Sequence, residues 1–343
     1  MPSKDDCDLD HFRFRGLHPA VFIGTASDRY IGWFGQLYTE SLYRGKIISR
    51  THKVGGRSFQ EQVLPVASVG EYFQHFRVLE IDYTFYRTLL DANGRATESF
   101  RLLKDYRAHM GENDYLLLKA PQLIFAQKLR RGGGFVANEQ YLNAKVFVEQ
   151  FYQPANDLLG GKLRAFIFEQ EYQRRAERLP TAELVHAMGE FFAALPKDDR
   201  YHVELRTDSY LTAEMFALLS NLGIGQVFSH WTWLPPLARQ FALAGRRFFN
   251  GGRQAVIRLM TPRGTRYEDA YAKAFPFHKL IEEMVQPAML EDTTQLMRQA
   301  IEQGVEVNVI INNRAGGNAP VLAQLIARKF LDLASATAAT PRD

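Results

Sequence analysis

The sequence predicts an α/β protein folded as a TIM-like (β/α)8 barrel in a single domain. Three observations carry that prediction. Eight short runs rich in β-branched and aromatic residues recur along the chain, amphipathic stretches with helical spacing separate several of them, and neither an internal repeat nor a linker divides the sequence. A count of eight favours a closed barrel over an open doubly wound sheet. No glycine-rich phosphate loop follows the first run, since "GTASDR" does not match the GxGxxG fingerprint of a dinucleotide-binding sheet.

The expected strands are "AVFIGT" (20–25), "RVLEIDYTFY" (77–86), "YLLLKAP" (115–121), "LRAFIFEQ" (163–170), "YHVELRT" (201–207), "GQVFSHW" (225–231), "QAVIRLM" (254–260) and "VEVNVIIN" (305–312). Between them, "TAELVHAMGEFFAALP" keeps Leu184, Val185, Met188, Phe191, Phe192 and Leu195 on one helical face. "TAEMFALLSNLG" starts at a capping Thr212 and stops at Gly223, and "LEDTTQLMRQAIEQG" stops at Gly304. Asn318 caps the last helix, with Pro320 in its first turn. The barrel is thus expected over residues 20–332, between an N-terminal tail (1–19) and a disordered C-terminal tail (333–343). Residues 27–65 read as a long loop inserted over the barrel mouth, because irregular loops of that length are functional or mobile.

Composition excludes several classes. With 343 residues, 46% of them hydrophobic and 23% charged, the chain is ordinary globular material. One cysteine, Cys7, rules out an intrachain disulfide framework and any CxxC zinc or redox motif. No run of 18 apolar residues occurs and the N-terminus is charged rather than signal-like, so no membrane association and a cytoplasmic location are expected. HxH and HExxH spacings are absent, as is the GxSxG elbow of hydrolase triads. His202 and His230 sit in strands, where a lone histidine is usually hydrogen-bonded core. The sequence specifies no cofactor and no oligomeric state. A net charge of +4 permits an anionic partner without demanding one.

The informative residues are polar groups inside strands, where side chains two apart share a face. Glu80 and Asp82 share one face of their run, and Glu204 and Arg206 share one face of theirs. Lys119, Arg258 and Asn312 follow apolar residues by two positions in three other strands. The outer face of a barrel packs under helices, so these charges should point inward near the C-terminal mouth, where such barrels place their sites. Buried ion pairs that merely fill the interior would explain any one of them, but desolvating so many charges costs several kcal/mol each. Four loops on the same expected face are basic: residues 41–60, "FAQKLRRGGGF", "TPRGTRY" and the turn at Arg314. Aromatic residues near them (Trp231, Trp233, Tyr38, Phe125) suit either packing or stacking on bases.

These residues also carry a family resemblance. Ile23-Gly24-Thr25 with Trp33, Gly35 and Tyr38, then Leu79-Glu80-Ile81-Asp82-Tyr83-Thr84-Phe85-Tyr86, Lys119 with Pro121, Glu204-Leu205-Arg206, Arg258-Leu259, and Asn312-Asn313 with Asn318-Ala319 follow in order. The pattern resembles the YecE-like family, the domain of unknown function number 72, from about residue 21 to residue 331. The chain looks like a diverged member. "IGTASDRY" lacks the glycine and tryptophan of the family's first turn, "FEQEY" puts Glu169 where glutamine is usual, and "RLMTPRG" lacks a histidine. The resemblance implies a TIM-like barrel and no established reaction.

The leading expectation is therefore an enzyme or enzyme-like barrel that binds an anionic ligand, phosphorylated or nucleic acid, at its C-terminal mouth. Glu80 and Glu204 would be the acid/base or orienting carboxylates, and Asp82, Tyr86, Lys119, Arg206, Arg258, Asn312 and Asn313 would contact the ligand. A non-catalytic nucleic-acid- or partner-binding protein is the first alternative. A metal-dependent phosphoester hydrolase using Glu80, Asp82, Glu169 and Glu204 is the second. Asn312 should face the lumen, Asn313 should organise its turn or brace a neighbouring loop, and Asn318 should be structural.

Overall fold

In the computed structural model, which describes residues 7–338, the eight expected runs form eight strands. They are β1 (Val21–Ala26), β2 (Val78–Ile81), β3 (Tyr115–Lys119), β4 (Leu163–Gln170), β5 (Tyr201–Leu205), β6 (Gly225–His230), β7 (Gln254–Leu259) and β8 (Glu306–Ile311). They hydrogen-bond in chain order and close, with β8 beside β1, so the fold is a (β/α)8 barrel. Several strands end sooner than the apolar runs. Tyr83–Phe85 form a 3-10 turn, so Asp82 lies beyond β2, and Arg206 lies one residue beyond β5. Among the described residues no helix is long and apolar enough to cross a membrane.

By contact the chain resolves into two compact units, one of residues up to 79, 229–239 and from 257 onward, the other of 80–228 and 240–256. In the first, β1 pairs with β8 in parallel from Val21↔Val307 to Thr25↔Ile311. Gly24 has to be glycine, because a Cβ there would lie 2.0 Å from the Val78 carbonyl oxygen. The buried Tyr72 hydroxyl accepts from Thr25 N (2.9 Å) and donates to Val78 O (2.8 Å), tying the helix Val69–His75 to β1.

Residues 8–18, expected within a tail, are packed. Phe14 is buried and stacks on Phe76 at 4.9 Å, and Arg15 Nη1 donates to Phe76 O at 2.9 Å. Phe14 and Leu17 are the buried side chains that anchor it. At the other end the last helix runs to Ala338, past the expected boundary at 332, since "LDLASATA" contains no proline or glycine to stop it. Residues 1–6 and 339–343 of the two expected tails lie outside the described residues.

The long segment 27–65 has structure of its own. A short helix (Glu40–Tyr43) precedes a hairpin, Ile48–Val54 paired with Arg57–Val63 across Gly55–Gly56. Both glycines have positive φ (56° and 79°), the backbone that a two-residue hairpin turn requires. Phe59 packs edge-on against Tyr271 at 4.9 Å, and Val54 joins the same apolar cluster.

In the second unit, β3, β4 and β5 pair in parallel, with Glu169 beside Glu204. One face of β4 and β5 presents Phe166, Phe168 and Tyr201 to Phe147, Phe191 and Phe192 under the helices, with ring centroids 5.1–6.2 Å apart. Burying each such ring stabilises the fold by about 1.5–3 kcal/mol. The alternate positions Glu169, His202 and Glu204 therefore face the other way, as period-two geometry demands. The expected helical face is seen in Thr181–Ala193, where Leu184, Met188, Phe191 and Phe192 are buried. Thr212 accepts from Met215 N, and Gly223 ends its helix at φ 67°.

Candidate active site

The C-terminal ends of β3, β4 and β5 bring four largely buried charges together. Lys119, the last residue of β3, lies 2.6 Å from Glu169 Oε2. Arg206 reaches the other oxygen of the same carboxylate, Nη1 to Oε1 at 2.8 Å, and places Nη2 3.3 Å from Glu204 Oε2. Lys119 Nζ also sits 3.9 Å from the centre of the Phe85 ring, and Thr84 Oγ1 donates to the Lys119 carbonyl at 2.8 Å. One carboxylate thus holds two cations, and one of those cations holds a second carboxylate.

Glu171, two residues beyond Glu169, stands next to this network. Burial first, then the negative charge of Glu169, raise its carboxyl to about 7, against the opposing pulls of Arg206 and Lys119. The segment that carries Glu171 is braced on both sides. Gln173 accepts from the Tyr210 hydroxyl (2.7 Å), donates its amide to Gln127 Oε1 (2.7 Å), and donates its N–H to Thr207 Oγ1 (3.1 Å). Glu171 and Gln170 also line a cavity of about 290 Å³ whose other walls include Phe125, Phe135, Tyr141 and Tyr172.

Of the residues expected from sequence, Lys119, Arg206 and Glu204 converge here. Glu80 is fully buried in β2, and Asp82 is half-buried just after it, at the start of the turn Tyr83–Phe85. Tyr86 follows that turn with 70% of its surface exposed, its ring 5.5 Å from Phe85. Glu171 was missed, although "IFEQEY" carried the signal: Glu169 and Glu171 are two apart and fall on one face. Among the described residues no three His, Cys, Asp or Glu side chains cluster at metal-binding distance. Glu169 and Glu204 are turned instead to Arg206.

In the first unit, Arg258 is fully buried in β7 and engaged within the fold. Asn312 spends its Oδ1 on the turn, accepting from Arg314 N at 3.0 Å. Asn313 Oδ1 accepts from Trp33 Nε1 (3.2 Å) and from Ala319 N (2.8 Å), bracing the first loop and the start of the last helix. Asn318 Oδ1 accepts from Val321 N, and its amide donates to Phe277 O and Gln36 Oε1. Two strand histidines have no charge to offer at neutral pH. Burial lowers both His202 and His230 to about 4, with Arg263 adding to the effect at His230. His202 is built in tightly, since a Cβ on Gly225 would fall 2.2 Å from its ring.

Some of the loop cations are engaged where they stand. Arg50 Nε lies 2.8 Å from Glu61, Lys128 lies 2.7 Å from Glu177, and Arg266 pairs with Glu268. Arg263 Nε donates to Leu234 O, and the Arg314 guanidinium lies over the Tyr267 ring at 4.4 Å.

Fold and charged cluster together define a (β/α)8-barrel protein with ionisable groups grouped at the C-terminal ends of neighbouring strands. The sequence matches the family described as "Protein of unknown function DUF72" over residues 49–342, and the chain belongs to that family. A DUF72 family protein of Thermotoga maritima is similar in structure, with a TM-score of 0.54 at 16% identity over 91% of this chain and 99% of that one. A second, from Enterococcus faecalis V583, gives a TM-score of 0.54 at 16% identity over 94% of this chain and 97% of that one. At such identities the likeness shows the fold. None of the curated proteins matches the sequence.

Proposed function

We propose that the cluster at the ends of β3, β4 and β5 is an acid–base site that binds a small anionic ligand, with Glu171 as the proton-transferring group. The observation that carries this reading is the contrast between two neighbouring carboxyls. Glu169 is held by two cations, whereas Glu171 is raised to about 7. A carboxyl raised this far can give or take a proton near neutral pH. Lys119 and Arg206 supply preorganised donors for the ligand's anionic group, and Arg206 suits a carboxylate or phosphate because its guanidinium is a planar fork. Glu204 orients Arg206, and Glu80 is a further buried carboxylate on the neighbouring strand.

Two cations grouped at neighbouring strand ends suit a small anion, whose binding should depend only weakly on salt. Ribose 5-phosphate is the test compound. It should raise the melting temperature of the protein by mass action, and the rise should vanish in Arg206→Met while surviving charge reversal of the exposed Arg44 and Lys46. No shift with ribose 5-phosphate, inorganic phosphate or a short single-stranded DNA would remove the basis of the anion reading. A shift with DNA alone, abolished by the loop reversals, would instead support a non-catalytic nucleic-acid-binding protein.

A further inference from the structure

We propose that the cavity beside Glu171 is a subsite for a pyranose ring, which makes the ligand of this site a phosphorylated sugar. The proposal deepens the reading above by naming the substrate class. The anion rests on that reading, whereas the ring rests on the cavity alone. Glu171 joins the two, because it lines the cavity and stands close enough to Arg206 and Lys119 for both charges to act on it. A cavity of about 290 Å³ lies at the small end of the range for ligand sites, enough for one six-membered ring and its substituents.

The lining sets an open aromatic face beside accessible charges of both signs. Phe135 stands on the second strand of a hairpin, Lys128–Arg131 paired with Gly134–Ala137, and keeps 71% of its surface exposed. An apolar ring left in water gains by being covered. Lys128, on the first strand, lies 2.7 Å from Glu177, and both side chains remain about half exposed (49% and 46%). Hydrogen bonding and charge from Lys128 lower the Glu177 carboxyl, and Arg174 adds to the effect, so this wall groups two cations about one carboxylate. Two phenols, Tyr141 and Tyr172, complete a lining rich in both donors and acceptors. A sugar matches all of this. One side of a pyranose is a sheet of C–H groups that can cover an aromatic ring, while its hydroxyls lie round the edge, each able to donate and accept. A vicinal diol accepts from the Lys128 ammonium and donates to the Glu177 carboxylate at once. A plain aromatic ring would cover Phe135 equally well but has nothing to offer that ion pair.

Methyl β-D-glucopyranoside has the ring and no anion, so it tests the subsite separately from ribose 5-phosphate. In saturation-transfer NMR on the full-length protein, the glucoside should receive saturation at its ring protons. Glucitol, which has more hydroxyls and no ring, should receive none. Phe135→Ala should weaken glucoside binding about fivefold, the effect of losing one small apolar contact. Lys128→Met should weaken it about tenfold, as loss of a hydrogen bond from a charged group does. Melting temperatures should be unchanged in both variants, because both side chains are exposed. Equal saturation of glucitol and glucoside, no saturation of either, or undiminished glucoside binding in both variants would overturn the proposal. Glucoside binding without a ribose 5-phosphate shift would leave the ring subsite standing and remove the anion reading, and the reverse result would do the opposite.

Discussion

Glu169→Gln should destabilise the protein by about 3 kcal/mol at neutral pH, because breaking a buried ion pair from one side leaves an uncompensated charge. The carboxylate touches two nearly buried cations, Lys119 at 2.6 Å and Arg206 at 2.8 Å. The expected loss sits at the lower end of the range for such pairs, since Arg206 keeps Glu204 and Lys119 keeps the Phe85 ring. Urea denaturation measures it. The double variant Lys119→Met/Glu169→Gln should recover a large part of the loss, as removing both members of a pair does. A loss below roughly half a kcal/mol for the single variant would mean that the pairings contribute no more than exposed ones do. The same substitution removes the second largest influence on Glu171 and should lower the pKa of that carboxyl.

Glu171→Gln should stabilise the protein at about pH 8 and leave it nearly unchanged at about pH 4, the reverse of the usual outcome for a carboxylate. The sign follows from the direction in which the carboxyl is moved. It is raised from 4.5 to about 7, so between those values the folded protein holds a proton that the unfolded chain has lost. Stability contributed by this group therefore falls as pH rises from 4.5 to about 7, then stays level. The penalty above that window is at most about 3 kcal/mol, because each tenfold change in proton affinity is worth about 1.4 kcal/mol. His202 and His230 act in the opposite sense. Both are lowered from 6.5 to about 4, so each loses stability as pH falls through that interval. The raw stability curve mixes all three groups, and the difference between wild type and Glu171→Gln isolates one. A difference that does not change with pH would contradict the assignment.

Much of the fold was legible because the barrel strands are apolar on one face at least, and period-two alternation exposes their polar members. Lys119, Glu204 and Arg206 were readable on those terms. What escaped was packed by other rules. The two hairpins, 48–63 and 128–137, interleave basic residues with the apolar ones, so their charge masked an alternation that Gly55–Gly56 and Gly132–Gly133 could have announced. Asp82 and Arg206 read as strand because each continues its run's period-two alternation, yet β2 and β5 end just before them. Glu171 lay one step past the strand end, where alternation is rarely carried forward. Ion pairing of the loop cations was unreadable, because Arg50 and Glu61 meet across a hairpin and Lys128 and Glu177 are 49 residues apart. The two asparagines divided by contact: Asn312 caps its own turn, while Asn313 ties Trp33 to the last helix.

The central claim is that a glutamate at the end of β4 exchanges its proton near neutral pH beside a cation-held carboxylate. Titrating the side-chain carboxyl carbons by 13C NMR, with Glu171→Gln to assign the resonance, tests it most directly. A carboxyl that titrates at about 7 and disappears in the variant is the expected result. A Glu171 resonance that titrates in the ordinary glutamate range, about 4 to 5, would contradict it.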